Sequence, residues 1–224
     1  MSAVPIVRLE HVSKSFGALD DSTPVLRDVE LTILPGEKVS LMGLSGSGKS
    51  TLLALIARLL RPDAGTDAID GVKMSDLDER ARARLRAERI GIALQSDNLI
   101  PFLSARENVA LALAFGTNES RRATYARALD LLERFGVAHR ADHRPRHLSG
   151  GEAQRVALAV SMANSPAVLL ADEVVAQLDG ETAAHVIDEV LAADFAVLYV
   201  THDQALADLV ERRYSLVDFE VRAS

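Results

Sequence analysis

The sequence predicts an α/β fold, a mostly parallel sheet with helices on its faces and a helical lobe inserted in the middle of the chain. Three observations lead there. Short apolar runs alternate with helical patterns at both ends of the chain, glycines punctuate the first passage from strand to helix, and from about Ser96 to Asn164 the pattern becomes helical. A chain of 224 residues is long enough for one large domain, or for one domain with a smaller lobe, but short for two independent ones.

Taken in order, Val7 and Leu9, then Val29, Leu31 and Ile33 separated by Glu30 and Thr32, carry the period of two of half-buried strands. Val39-Ser-Leu-Met-Gly43 is a short apolar strand that runs into glycines and then into a helical stripe of Leu52, Leu53, Ile56, Leu59 and Leu60. Pro62, Gly65 and Gly71 predict a loop, Asp76 to Arg89 a polar, arginine-rich helix, and Ile90, Ile92 and Leu94 a strand. Ser104 with Glu107 forms a capping box for a helix through Phe115, and a second helix runs from Ser120 to Gly136. Ala167 to Asp172 and Ala196 to Thr201 read as buried strands around a helix from Gly180 to Ala193, and Tyr214 to Val221 as a last alternating strand.

Composition narrows the function. Hydrophobic residues make up 48% and charged residues 25%, the balance of a globular protein. The absence of cysteine excludes disulfides and thiolate metal sites and suits a reducing compartment, so a cytoplasmic location is expected. A net charge of −7 argues against wrapping nucleic acid. The longest apolar tract, Val156 to Val175, is interrupted by Asn164, Ser165, Pro166, Asp172 and Glu173 and cannot span a bilayer. No export signal opens the chain.

Gly43-Leu44-Ser45-Gly46-Ser47-Gly48-Lys49-Ser50, followed by Thr51, matches the phosphate-binding loop in the required strand-to-helix context. Glycines let successive backbone N–H groups turn inward around phosphate oxygens, and the following helix adds its positive end. Lys49 is expected to reach the β- and γ-phosphates and the Ser50 hydroxyl to ligate magnesium. Asp172 and Glu173 close an apolar strand. Asp172 is placed to face the magnesium shell and Glu173 to polarise the attacking water. Leu148-Ser149-Gly150-Gly151-Glu152 resembles a second anion site at a helix start, although a cap without ligand has the same appearance.

The phosphate loop, Gln95, Leu148-Ser-Gly-Gly-Glu152, Asp172-Glu173, Asp179 and Thr201-His202-Asp203 stand in the order and rough spacing of the ATP-binding cassette family, which the chain resembles over nearly its whole length. The resemblance implies a P-loop NTPase (RecA-like) core with an antiparallel β subdomain, at about residues 1–94 and 166–224, and an inserted α-helical subdomain with the signature sequence at about 95–165. It implies ATP and magnesium as ligands, ATP hydrolysis as the activity, and a head-to-tail homodimer or paired cassette. In that dimer the phosphate loop of one copy and Ser149, Gly150, Gly151 and Asp179 of the other enclose one ATP.

By the same resemblance Phe16 stacks on adenine, with a core position as the lesser alternative for an aromatic there. Gln95 contacts magnesium or the lytic water and reports to a membrane partner, and His202 grips the γ-phosphate. The stretch Asn98 to Val109 most resembles the lipoprotein-releasing and macrolide-efflux group, whose partners are integral-membrane permeases, which places the chain on the inner face of the cell membrane. An importer ATPase and a soluble non-transport ATPase of the same family are the alternatives. Val174-Val175 replaces the Pro-Thr that usually follows the catalytic glutamate, Ala-Gln-Leu precedes Asp179, Val160-Ser-Met162 replaces an arginine-containing turn, and Asp218-Phe219-Glu220 lacks the usual glycine turn.

His139, His143 and His147 lie at intervals of four, but Pro145 breaks a shared helix and the arginines between them repel a cation. Arg80, Arg82, Arg84, Arg86 and Arg89 are interleaved with Glu79 and Glu88 and read as a solvated helix face.

Overall fold

The computed structural model describes residues 3–17, 22–94, 99–116, 119–175, 178–210 and 212–223. β1 (Val7–Phe16) and β2 (Thr23–Ile33) pair antiparallel, with Val7 opposite Ile33 and Leu9 opposite Leu31. The period of two therefore turns Val7, Leu9, Val29, Leu31 and Ile33 to one side, a register shift between Leu9 and Val12 brings Val12 to it as well, and all six are buried.

β4 (Ala64–Ile69) and β5 (Val72–Lys73) complete a sheet of order β2-β1-β4-β5. This corrects the loop read between Pro62 and Gly71. Ala64-Gly-Thr-Asp carries no apolar alternation, and its strand character comes from pairing with β1, Glu10 lying opposite Thr66. Gly65 permits that pairing, since a Cβ there would lie 2.4 Å from the His11 carbonyl oxygen.

The second sheet has the order β10-β9-β3-β8-β7-β6, from β3 (Lys38–Met42), β6 (Ile90–Ala93), β7 (Val168–Asp172), β8 (Ala196–Val200), β9 (Arg212–Val217) and β10 (Glu220–Ala223). Every pairing is parallel except that of β10 with β9. Both faces are covered. On β7, Val168 and Leu170 pack with α1 (Lys49–Ile56), whereas Leu169 and Ala171 pack with α5 (Gly150–Met162) and α6 (Gly180–Leu191). β8 divides its side chains the same way, Leu198 to one face and Val197 to the other. Burial on both faces explains why these strands read as unbroken apolar runs, and each buried Leu contributes about 1.5–3 kcal/mol.

Two further readings change. Tyr214 to Val221 is a hairpin rather than one strand, because Asp218 and Phe219 take φ of 51° and 70° and fold β10 back onto β9. Two-residue turns of this hand favour Asn and Gly, so Asp-Phe gave little signal of the break. The helical stripe after the phosphate loop ends early: α1 stops at Ile56, Arg58 takes φ 54°, and Leu59 is exposed.

The middle of the chain is helical: α2 (Glu79–Arg89), then, beyond β6, α3 (Ala105–Gly116), α4 (Arg121–Arg134) and α5. The capping box ahead of α3 forms, the Ser104 N–H donating to Glu107 Oε2 at 2.8 Å and the Glu107 N–H to Ser104 Oγ at 3.2 Å. α4 is capped by Ser120 and followed by Gly136 at φ 63°. A single-turn helix, α7 (Gln204–Ala207), follows β8. Among the described residues no helix is long and apolar enough to cross a membrane.

Candidate nucleotide site

The C-terminal ends of β3, β7 and β8 open on one edge of the parallel sheet, the place where such sheets hold ligands. Residues 43–48 form the loop between β3 and α1. Gly48 takes φ 107°, and a Cβ on it would meet Val25 at 2.9 Å, so no other residue type closes the loop at this point. Lys49 is only 9% exposed, and its Nζ donates to the carbonyl oxygens of Gly43 at 2.7 Å and Leu44 at 2.9 Å. A phosphate outcompetes two neutral carbonyls for an ammonium group. The Ser47 hydroxyl is buried without a hydrogen-bond partner, an orphan that an anionic oxygen satisfies.

From the second residue of α1, Ser50 Oγ donates to Asp172 Oδ2 at 3.2 Å, across from the end of β7. Burial holds the Asp172 carboxyl above the usual range, and the Glu173 charge adds to this, while the Ser50 bond and the Lys49 charge oppose it. A hydroxyl and a carboxylate penalised by burial are hard oxygen donors that fit magnesium. Glu173 takes φ 50°, and its Oε1 lies 2.7 Å from His202 Nδ1, so a side-chain hydrogen bond links the ends of β7 and β8.

Phe16 ends β1 at 44% exposure and lines the same cleft, with Lys14 Nζ 5.5 Å from the ring centroid. It is therefore not a core residue, and its exposed face is free to stack. The cleft encloses about 1160 Å³ between Phe16, the loop from Gly43 to Thr51, Asp172, Glu173 and His202. That lies above the range for small-molecule clefts, roughly 300–1,000 Å³. Sequence reasoning missed Val25 and the stretch from Ser215 to Asp218, which also line it. The parallel register of β9 on β3, Met42 opposite Ser215, brings that stretch there, Val25 comes from β2, and no local pattern announces either.

Ser149, Gly150, Gly151 and Asp179 do not line this cleft. Ser149 caps α5, Gly150 and Gly151 are its first two residues, and Asp179 caps α6 by accepting from the Thr182 N–H at 3.0 Å. Ser149, Gly150 and Asp179 are exposed. Gln95 lies outside the described residues. His139, set in a short turn beside α5, stands 3.5 Å from Glu152 Oε1.

Glu152 completes the cap of α5. Its Oε2 accepts from the Ser149 N–H at 2.8 Å and its Oε1 from Arg140 Nε at 2.8 Å, and these bonds, the Ser149 one foremost, hold its pKa down to about 2. The folded state thus favours the ionised form, a stabilisation present in full above the ordinary value of 4.5 and lost as pH falls from there towards 2. Glu152→Gln removes this contribution. Thermal melts are expected to show the variant below the parent at pH 7 and the two converging between pH 4.5 and pH 2, whereas parallel curves contradict the assignment.

A family model described as ABC transporter matches residues 26–176. The lipoprotein-releasing system ATP-binding protein LolD 2 of Caulobacter vibrioides is 42% identical over 218 residues, 96% of this chain and 95% of that one. The macrolide export ATP-binding/permease protein MacB of Marinobacter nauticus is 38% identical over 99% of this chain but only 35% of its own length. Among solved structures, a dimeric post-hydrolysis state of the ATP-binding cassette MJ0796, bound to ADP and Pi, superposes with a TM-score of 0.92 at 38% identity, covering 97% of each chain.

Proposed function

The chain belongs to the ABC transporter family and is an ATP-binding, ATP-hydrolysing subunit of it; from that premise we propose that it drives a separate integral-membrane permease of the lipoprotein-releasing or related efflux type, by closing on a second copy when ATP binds and opening after hydrolysis. One observation carries the reading: the phosphate loop, Asp172, Glu173 and His202 share a cleft that the exposed starts of α5 and α6 do not enter. A second copy supplies the missing wall. Ser149, Gly150, Gly151 and Asp179 then act in trans on the triphosphate held by Gly43 to Thr51.

Within one site, the loop N–H groups and Lys49 bind the β- and γ-phosphates, Phe16 stacks on the base, and Glu173 takes a proton from the attacking water. His202 orients Glu173 and contacts the γ-phosphate. Ser50, Asp172 and Gln95 would hold magnesium, which would neutralise charge on the phosphates. Residues from about 95 to 165 form the helical subdomain that reports to the permease, and the chain sits at the inner face of the membrane through that partner. The lipoprotein-releasing name of the Caulobacter relative and the matching stretch from Asn98 to Val109 favour this permease type.

The test is affinity purification of the tagged chain from detergent-solubilised membranes of its own cells. The expected result is a co-purifying integral-membrane protein in whose presence the chain's ATP turnover rises. Recovery in a cytosolic complex with ribosomes or DNA contradicts the transporter reading.

A further inference from the structure

Glu173 holds a left-handed backbone conformation, φ 50°, that is unfavourable for a residue with a Cβ. Such a conformation persists only where its surroundings over-determine it. Its N–H donates to the Val200 carbonyl at 3.0 Å, which fixes it to β8. Its carbonyl accepts from Gln154 Nε2, also at 3.0 Å, which fixes it to α5.

Gln154 is poor packing material for this position. It is 8% exposed, and its Oε1 is buried with no hydrogen-bond partner. An aliphatic side chain of the same length would avoid that unsatisfied acceptor, so the amide N–H is what the position requires. Gln154 also lies within about one and a half turns of the Ser149 cap, on the same rigid helix. The next residue, Arg155, bears on the far end of the same loop. Asp179 is held below the usual carboxylate range chiefly by the Thr182 N–H and hydroxyl, and the Arg155 charge adds to this.

We propose that Gln154 is a positioning residue that transmits the placement of α5 to the Glu173 carboxylate. The helix start that a chain lends to the other copy's ATP and the base that it keeps for its own ATP then move together. The inference rests on the reading of Glu173 as the base and of Ser149 to Gly151 as a site in trans. When the start of α5 engages a phosphate, the helix shifts as a rigid body, and Gln154 draws on the Glu173 carbonyl. Because the strained residue is pinned at its N–H, this rotates the carboxylate rather than moving the whole loop.

The experiment is a cycle of Gln154→Met and Glu173→Gln, with Gln154→Ala as a second truncation, read by steady-state ATP turnover and thermal melts. Gln154→Met keeps the chain length and removes the donor. It is expected to lower kcat roughly tenfold, leave KM within about twofold, and leave the melting temperature close to that of the parent. If Gln154 acts through Glu173, adding Gln154→Met to Glu173→Gln lowers kcat no further. An unchanged kcat in both Gln154 variants, or losses that multiply in the double variant, overturns the proposal. Full turnover in Glu173→Gln alone is a different outcome, which removes the base assignment whatever the Gln154 variants do.

Discussion

Glu173→Gln is expected to lower kcat by about 10²–10⁴-fold, the range for a lost general base, and to leave the chain as an ATP-bound dimer that no longer reopens. The substitution keeps size and shape and exchanges a carboxylate for an amide that cannot take a proton. The His202 contact at 2.7 Å survives if the amide oxygen occupies the Oε1 position, and the two backbone bonds of residue 173 do not depend on its side chain. Lys49, Ser50 and Asp172 are untouched, so nucleotide affinity is expected to stay within about twofold. Size-exclusion chromatography with ATP and magnesium, compared with ADP, reads the dimer, and phosphate release reads kcat. Retention of turnover would move the base to another group.

Lys49→Ala acts one step earlier. Lys49 is only 9% exposed as a residue, its ammonium has two loop carbonyls as hydrogen-bond acceptors, and it faces the strongest negative charge that the ligand brings. Removing it is expected to lower kcat/KM for ATP by about 10²–10³-fold, the cost of losing one preorganised donor to a developing charge. The fold should tolerate the change. Ala is a good helix former at the first position of α1, and the Gly43 and Leu44 carbonyls border an open cleft where water replaces the lost bonds. Titration calorimetry with ATP should show the loss, and a thermal melt within a few degrees of the parent assigns it to binding rather than to folding.

Much of this site was legible because its signals are local. The spacing from Gly43 to Ser50 fixes a loop and a helix start together, and an apolar run ending in Asp172-Glu173 locates the tip of a buried strand. What escaped depends on partners distant in sequence. β4 is a strand because β1 pairs with it, and Gly65 reads as a breaker until the His11 carbonyl is seen beside it. The β9–β10 turn uses Asp218 and Phe219 where a hairpin would advertise itself with Gly or Asn. Phe16 needed its exposure to separate a stacking face from a core residue, and the Gln154 contact with Glu173 joins a helix to a strand tip with no pattern in the residues between.

The departures from the family pattern also find places. Val174 and Val175 are buried against the α5 and α6 face, so the residues that replace Pro-Thr anchor the loop after Glu173 by burial.

The central claim is that each ATP is held by two copies of the chain, and mixing two inactive variants tests it most directly. Lys49→Ala spoils the phosphate loop. Gly151→Asp places a carboxylate at the start of α5, where it suits the helix dipole but repels a phosphate. In a mixed dimer one site carries both defects and the other carries neither, so equal mixing of the two inactive chains should restore about a quarter of parental turnover if pairing is random and each site works independently. Turnover of the mixture no higher than that of either variant alone would contradict a site shared between copies.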